Sequence, residues 1–342
     1  MHKIDFENHY IAPATLERMW KRAEAAEKIP PYIEKDKGVL AQSSNMIVPN
    51  FSNALAIINN IEHTISQMDK LGIDKMIISG LGLIEQLPVE ESIIAAKENN
   101  DFAGEMCKKY PGKVYGSALL PVKDVDAACA ELERCVKEYG FVSWTTFSNL
   151  GDGYIDEEKY KPIFAKAAEL GVHVYLHPAP PLPDPRVDDY GIAITGAAYG
   201  YTIDTMHTLF RLVLGGVFDE NPDLKVVVGH LGEALPFLLD RIENRMEVMG
   251  CQWSSPLWKC KQPFGYYFKN QRIFVGTSGN MCVDSFNLTR KVVGIDNMVI
   301  ATDYPFESVE EMNEYLRKLR LTEEERERLF YKNAEEYLGI KM

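Results

Sequence analysis

No two of the six cysteines (Cys107, Cys129, Cys135, Cys251, Cys260 and Cys282) are spaced as CxxC, so the chain offers neither a zinc knuckle nor a disulfide framework. Reduced thiols and a cytoplasmic location are the expectation. No charged-then-apolar leader pattern opens the sequence, and no apolar run approaches the ~20 residues that cross a bilayer. Positive charge is scarce: 37 Lys and Arg face 50 Asp and Glu, for a formal net charge of -13. That balance argues against nucleic acid and against an anionic membrane as partners, because both select basic patches. The glycine-rich turn that cradles a dinucleotide is missing after the first apolar segment, where "ENHYIAPAT" stands instead. No low-complexity stretch interrupts the 342 residues, 46% of which are hydrophobic, so a substantial core is available to a single domain, 1–342.

Short apolar runs alternate with amphipathic stretches, the signature of βα units on a parallel sheet. Eight strands are predicted: "KIDFENH" (3–9), "DKMIIS" (74–79), "KVYGSAL" (113–119), "FVSWTTF" (141–147), "VHVYLH" (172–177), "LKVVVGH" (224–230), "RIFVGTS" (272–278) and "NMVIAT" (297–302). Helical segments follow at 53–71, 89–110, 124–139, 157–170, 202–218, 233–249, 284–293 and 307–319, with an extra closing helix at 322–337. Eight such units favour a (β/α)8 TIM barrel over an open sheet. Three insertions fall outside the repeat. After the first strand, 11–51 read as a short charged helix and a loop. After the fifth, 178–200 form a Pro- and Gly-rich connection of the kind used for lids and binding loops. After the sixth, the aromatic segment 251–271 fits equally as packing over the barrel's outside, a subunit contact or a pocket wall.

Alternation along a strand sends Asp5, Glu7 and His9 to one face and Ile4, Phe6 and Asn8 to the other. In a barrel, the groups at strand C-termini line the open mouth. Glu7 and His9, His177, His230 and Asp303 all fall there, and three of them come from a chain with only seven histidines. Singly, each has a plainer reading: a turn histidine, a solvated charge, a strand cap, a helix-start residue or a turn aspartate before proline. Together at one opening, Glu7, His9, His177 and Asp303 offer two nitrogen and two oxygen donors to one divalent ion, Zn²⁺ or Mn²⁺, with positions left for water or substrate. His230 would stay unligated as an acid or base, oriented by Glu233. His173 is expected inside but near the bottom, and His207 as a core or helix-contact residue.

These motifs resemble the metal-dependent decarboxylase branch of the amidohydrolase superfamily over nearly the whole chain. "FENHY" is similar to that branch's opening metal motif, "YLHP" to its third ligand, "GHLGEALPFLLDRIENR" to its catalytic-histidine segment, and "TSGN" and "ATDYPFE" to its last two strand ends. The resemblance implies the same four ligands, catalytic His230 and Glu233, and a homodimer or homotetramer. Hydrolytic members commonly open with HxH and place a lysine on the fourth strand. Here Glu7 replaces the first histidine and "FVSWTTF" has no lysine, which points to non-oxidative decarboxylation of a phenolic, ortho-hydroxybenzoate-like acid, reversible in principle. On the family's pattern Asp303 would protonate the ring carbon. Arg241 would bind substrate across a dimer or else form a surface ion pair, and Tyr10 and Trp144 would wall the pocket. The alternatives are a metal-dependent hydrolase or hydratase of a lactone, ester or unsaturated carboxylate, and a barrel subunit that only lends structure.

Overall fold

The computed structural model describes residues 2–49, 51–186, 188–250 and 255–340. Eight parallel strands form one sheet: β1 (Ile4–Tyr10), β5 (Lys75–Gly80), β6 (Val114–Ala118), β7 (Ser143–Phe147), β8 (His173–His177), β9 (Val226–Val228), β10 (Ile273–Gly276) and β11 (Met298–Val299), hydrogen-bonded in that order. The sheet closes on itself because Phe6 N donates to Ile300 O at 2.9 Å and His9 N to Tyr304 O at 2.7 Å. The eight predicted strands are all present, and the fold is a (β/α)8 barrel.

Ile4, Phe6, Ile77, Tyr175, Val227, Phe274 and Val299 fill the barrel's interior, and Tyr337 of the closing segment plugs its lower end. His173 stands in that lower layer, its ring against Phe6 and Tyr337, with burial pushing its pKa down to about 3. The closing segment is helical as expected but passes through a π turn at Arg328–Lys332. The predicted helix 53–71 is two helices, Ser52–Leu55 and Ile61–Leu71. Asn60 restarts the second by accepting from His63 N. His207 is exposed rather than packed.

Between β1 and β5 the chain is more ordered than a loop. Helix Pro13–Glu24 leads into a small antiparallel sheet of β2 (Tyr32–Glu34), β3 (Val39–Ser43) and β4 (Met46–Val48). Strands this short lie below the window in which alternation can be read. The described part of the aromatic segment, 255–271, packs outside the barrel: Phe264 lies against Phe210 and Tyr267 against Phe218. Residues 251–254, with Cys251, lie outside the described residues; the five described cysteines are free.

Candidate metal centre and its cavity

The first strand does not alternate as its sequence predicts. Asp5 pairs with Met76 and Asn8 with Ile78, so β1 carries one residue more than β5 between those points: a β-bulge. Phe6 and Glu7, neighbours in sequence, therefore both face the interior. Ile4 and Phe6 fill the lower barrel, Glu7 and His9 rise into its mouth, and Asp5 points outward instead of sharing their face. Asp5 holds the bulge in place. Its Oδ1 accepts from Glu7 N (3.2 Å) and Thr302 N (3.0 Å), and its Oδ2 from Asn8 Nδ2 (2.8 Å) and Thr302 Oγ1 (2.6 Å). A buried carboxylate with four donors thus ties the first strand to the end of the last.

The bulge brings Glu7 and His9 to His177 and Asp303, with one donor atom of each within 4.8 Å of the others. His9 Nε2 lies 3.0 Å from Asp303 Oδ1 and 3.4 Å from Glu7 Oε1. His177 Nδ1 sits 2.8 Å from Pro178 O, a partner that takes the ring's proton and leaves Nε2 free to ligate. Space for the Glu7 carboxylate exists because residue 229 is glycine. A Cβ there would stand 2.8 Å from Tyr175 Oη, 2.9 Å from Ser278 Oγ and 3.3 Å from Glu7 Oε2.

These donors fit a divalent cation. Both Glu7 oxygens and both His9 ring nitrogens are buried and make no well-formed hydrogen bond, the approaches around His9 Nε2 being ion-pair contacts only, a state that costs free energy unless something positive compensates it. Burial disfavours charge on His9, yet Asp303 and Glu7 outweigh it and raise the imidazole to about 9. Burial also opposes ionisation of Asp303, but His230 and His9 hold it below the usual carboxylate range. Burial, with His9 beside it, pushes His177 down to about 4, so it is a neutral nitrogen donor. The field that holds a proton on His9 is one that a metal ion would occupy in its place.

His230 stands beside this group, its Nε2 3.8 Å from Asp303 Oδ2 and its Nδ1 2.8 Å from Glu233 Oε1. Burial lowers its basicity, but Glu233 and Asp303 together raise it well above the ordinary histidine value. Thr202 Oγ1 donates to Glu233 Oε2 at 2.7 Å and completes a chain of three that sequence reasoning did not include. His230, Leu231, Glu233 and Asp303 are four of the six non-glycine residues with positive φ among the described residues. Such backbone costs about 1–3 kcal/mol per residue and persists where its surroundings over-determine it.

Two recesses meet at His230 and Asp303. One, about 330 Å³, runs out past His177 and Phe147 to Met19, Leu40 and Phe306; the other, about 370 Å³, is more polar and reaches Thr202, Glu233 and Asn280. Pro178, Ile192 and Ala197 of the 178–200 connection line the first. Tyr10 and Trp144 line neither. Tyr10 is on the outer face of β1, fully buried, with its hydroxyl donating to Asn99 O, and Trp144 packs on Phe164 in the layer beneath the helices. On β7 it is Phe147, three positions on and facing inward, that supplies the aromatic wall. Arg241 is exposed on helix Leu235–Met249 and likewise lines neither recess.

A family model described as amidohydrolase matches residues 84–340. A gamma-resorcylate decarboxylase from Rhizobium sp. (strain MTP-10005) is 34% identical over 278 residues, covering 78% of this chain and 83% of that one. The crystal structure of 2,6-dihydroxybenzoate decarboxylase from Rhizobium superposes with a TM-score of 0.82 at 29% identity, over 99% of both chains. A dihydroxybenzoic acid decarboxylase from Polaromonas sp. JS666, with bound manganese and the inhibitor 2-nitroresorcinol, superposes with a TM-score of 0.83 at 27% identity, over 99% of this chain and 97% of that one. The chain belongs to the amidohydrolase family.

Proposed function

We propose that this protein is a metal-dependent, non-oxidative decarboxylase of an ortho-hydroxybenzoate. The observation that carries the reading is the Glu7, His9, His177 and Asp303 group, with a glutamate in its first position, opening onto a cavity with an aromatic wall. The relatives named decarboxylases, and the manganese in one of them, support it. They give the hydrolase or hydratase reading no comparable support.

Loss of CO₂ directly from the acid would leave an aryl carbanion. Protonating the ring carbon that bears the carboxylate first lets the C–C bond break with return of aromaticity, so that the carboxylate plus one proton gives phenol plus CO₂. Glu7, His9, His177 and Asp303 would hold one divalent ion, Mn²⁺ or Zn²⁺, which supplies a Lewis acid for the carboxylate and the adjacent phenolic oxygen. His230, oriented by Glu233, holds the proton and passes it across the 3.8 Å gap to Asp303 Oδ2. Asp303, at the junction of the two recesses, relays it to the ring carbon. Phe147 and Phe306 flank the ring and keep water from it.

Arg241 reaches no atom of its own chain's cavity. The exposed Phe237, Val248 and Met249 on the same helix suit the homodimer or homotetramer we propose. A cytoplasmic location accords with the free thiols. No helix among the described residues is long and apolar enough to cross a membrane. CO₂ release from a panel of ortho-hydroxybenzoates, set against hydrolysis of lactones and esters by the metal-loaded protein, tests the reading. Turnover is expected in the first panel alone, and turnover only in the second would overturn it.

A further inference from the structure

Building on that reading, we infer that the substrate is a monocarboxylic acid whose ring carries an apolar alkyl substituent on the side away from its carboxylate. With the carboxylate and its ortho-hydroxyl taken at Glu7, His9, His177 and Asp303, the rest of the molecule lies against the outer wall of the 330 Å³ recess. The insertion after β1 builds that wall with Met19, Leu40, Met46, Val48 and Phe51, and Phe306 joins them. No lysine or arginine lines the recess among the described residues; its ionisable groups are His177, His230 and Asp303, which belong to the metal centre, and Glu307. The polar pair in the wall is engaged internally: Tyr201 Oη donates to Gln42 Oε1 at 2.5 Å and lies 3.4 Å from Met46 Sδ.

A second carboxylate would enter this wall with no lysine or arginine to meet it, at a desolvation cost nothing there offsets. A hydroxyl would find one amide. An alkyl chain would find thioether, branched aliphatic and aromatic surface, and each methylene buried contributes about 0.8 kcal/mol, or roughly fourfold in binding.

The experiment uses 2,6-dihydroxybenzoate and its 4-methyl, 4-propyl, 4-pentyl and 4-carboxy derivatives as substrates of the metal-loaded protein. The matching 5-alkylresorcinols serve as binding probes in calorimetry, independent of turnover. Resorcinol affinity is expected to rise about fourfold per methylene as far as propyl. kcat/KM should rise in parallel, and the 4-carboxy diacid should fall at least a hundredfold below the propyl acid. Val48→Arg, at the half-buried end of its strand, should narrow that gap by weakening the alkyl acids and improving the diacid. Affinity that is flat or falling with chain length, or a diacid turned over as well as the propyl acid, overturns the inference. CO₂ released from none of the acids while resorcinol affinity still climbs would refute the reaction and uphold the recess. Release from the parent acid with flat affinities would do the reverse.

Discussion

Replacing Asp5 with alanine strands three buried donors at once, the amides of Glu7 and Thr302 and the side-chain nitrogen of Asn8, and leaves the Thr302 hydroxyl only its longer bond to Glu7 O at 3.2 Å. A buried donor left without an acceptor costs about 1–3 kcal/mol, and water entering the small hole would relieve part of that, so the expected loss is on the order of 4 kcal/mol. That lies at the large end for a single substitution. Asp5→Asn should cost far less, about 1 kcal/mol. Its remaining oxygen still serves both backbone amides, Thr302 Oγ1 can turn to accept, and Asn8 can present its Oδ1, which has no partner. Because the bulge aims Glu7 and His9, Asp5→Ala should also lose bound metal and Asp5→Asn should keep it. Urea unfolding followed by circular dichroism gives the first quantity, and manganese per chain after dialysis gives the second. An alanine variant within 1 kcal/mol of the parent and fully loaded, or an asparagine variant as damaged as the alanine one, would refute the acceptor argument.

Other expectations follow from the same geometry. A Cβ on Gly279 would stand 2.1 Å from His230 Cδ2 on a backbone of φ +63°. Gly279→Ala should therefore displace the imidazole by about 1 Å and lower kcat roughly 10²-fold, with metal content unchanged; an unaltered kcat would contradict the placement of His230. Glu85 is buried with both oxygens unpartnered, and burial raises its pKa to about 8. The folded state then keeps a proton that the unfolded state releases from about pH 4.5, so stability falls as pH rises from there to about 8. At 1.36 kcal/mol per pH unit the loss is about 5 kcal/mol. Glu85→Gln should flatten that slope in urea unfolding at pH 5 and pH 8, and parallel slopes would sink the argument. Chelation should lower the melting temperature, and Mn²⁺ at a hundred times its Kd should restore about 2.7 kcal/mol. The Glu7→Gln variant should show a much weaker response, and an equal one would remove Glu7 from the ligand set.

The strands were legible because a parallel sheet buries both faces and so writes each strand as an apolar run, "KVVVG" or "NMVIA", that helices do not imitate. The five groups at the mouth were legible for a related reason, since polar residues that end such runs have little else to do there. What stayed hidden depended on contacts distant in sequence. The bulge that separates Asp5 from Glu7 is set by Thr302, 297 residues away, while local alternation alone puts them on one face. Trp144 and Tyr10 read as pocket aromatics by type, but strand parity turns both outward and leaves Phe147 inside. Much of the cavity's outer wall comes from β3 and β4, too short for periodicity to mark, and Thr202 gave no signal on its apolar helix.

Incubating the manganese-loaded protein with carboxyl-¹³C 2,6-dihydroxybenzoate in D₂O tests the central claim most directly. Carbon–carbon cleavage after ring protonation predicts ¹³CO₂ and resorcinol in equal amounts, with one deuterium on the former carboxyl-bearing carbon, and none of either from Asp303→Asn that still binds metal. Labelled acid returned unchanged by the loaded protein, or undiminished ¹³CO₂ from the Asp303→Asn variant, would contradict the account.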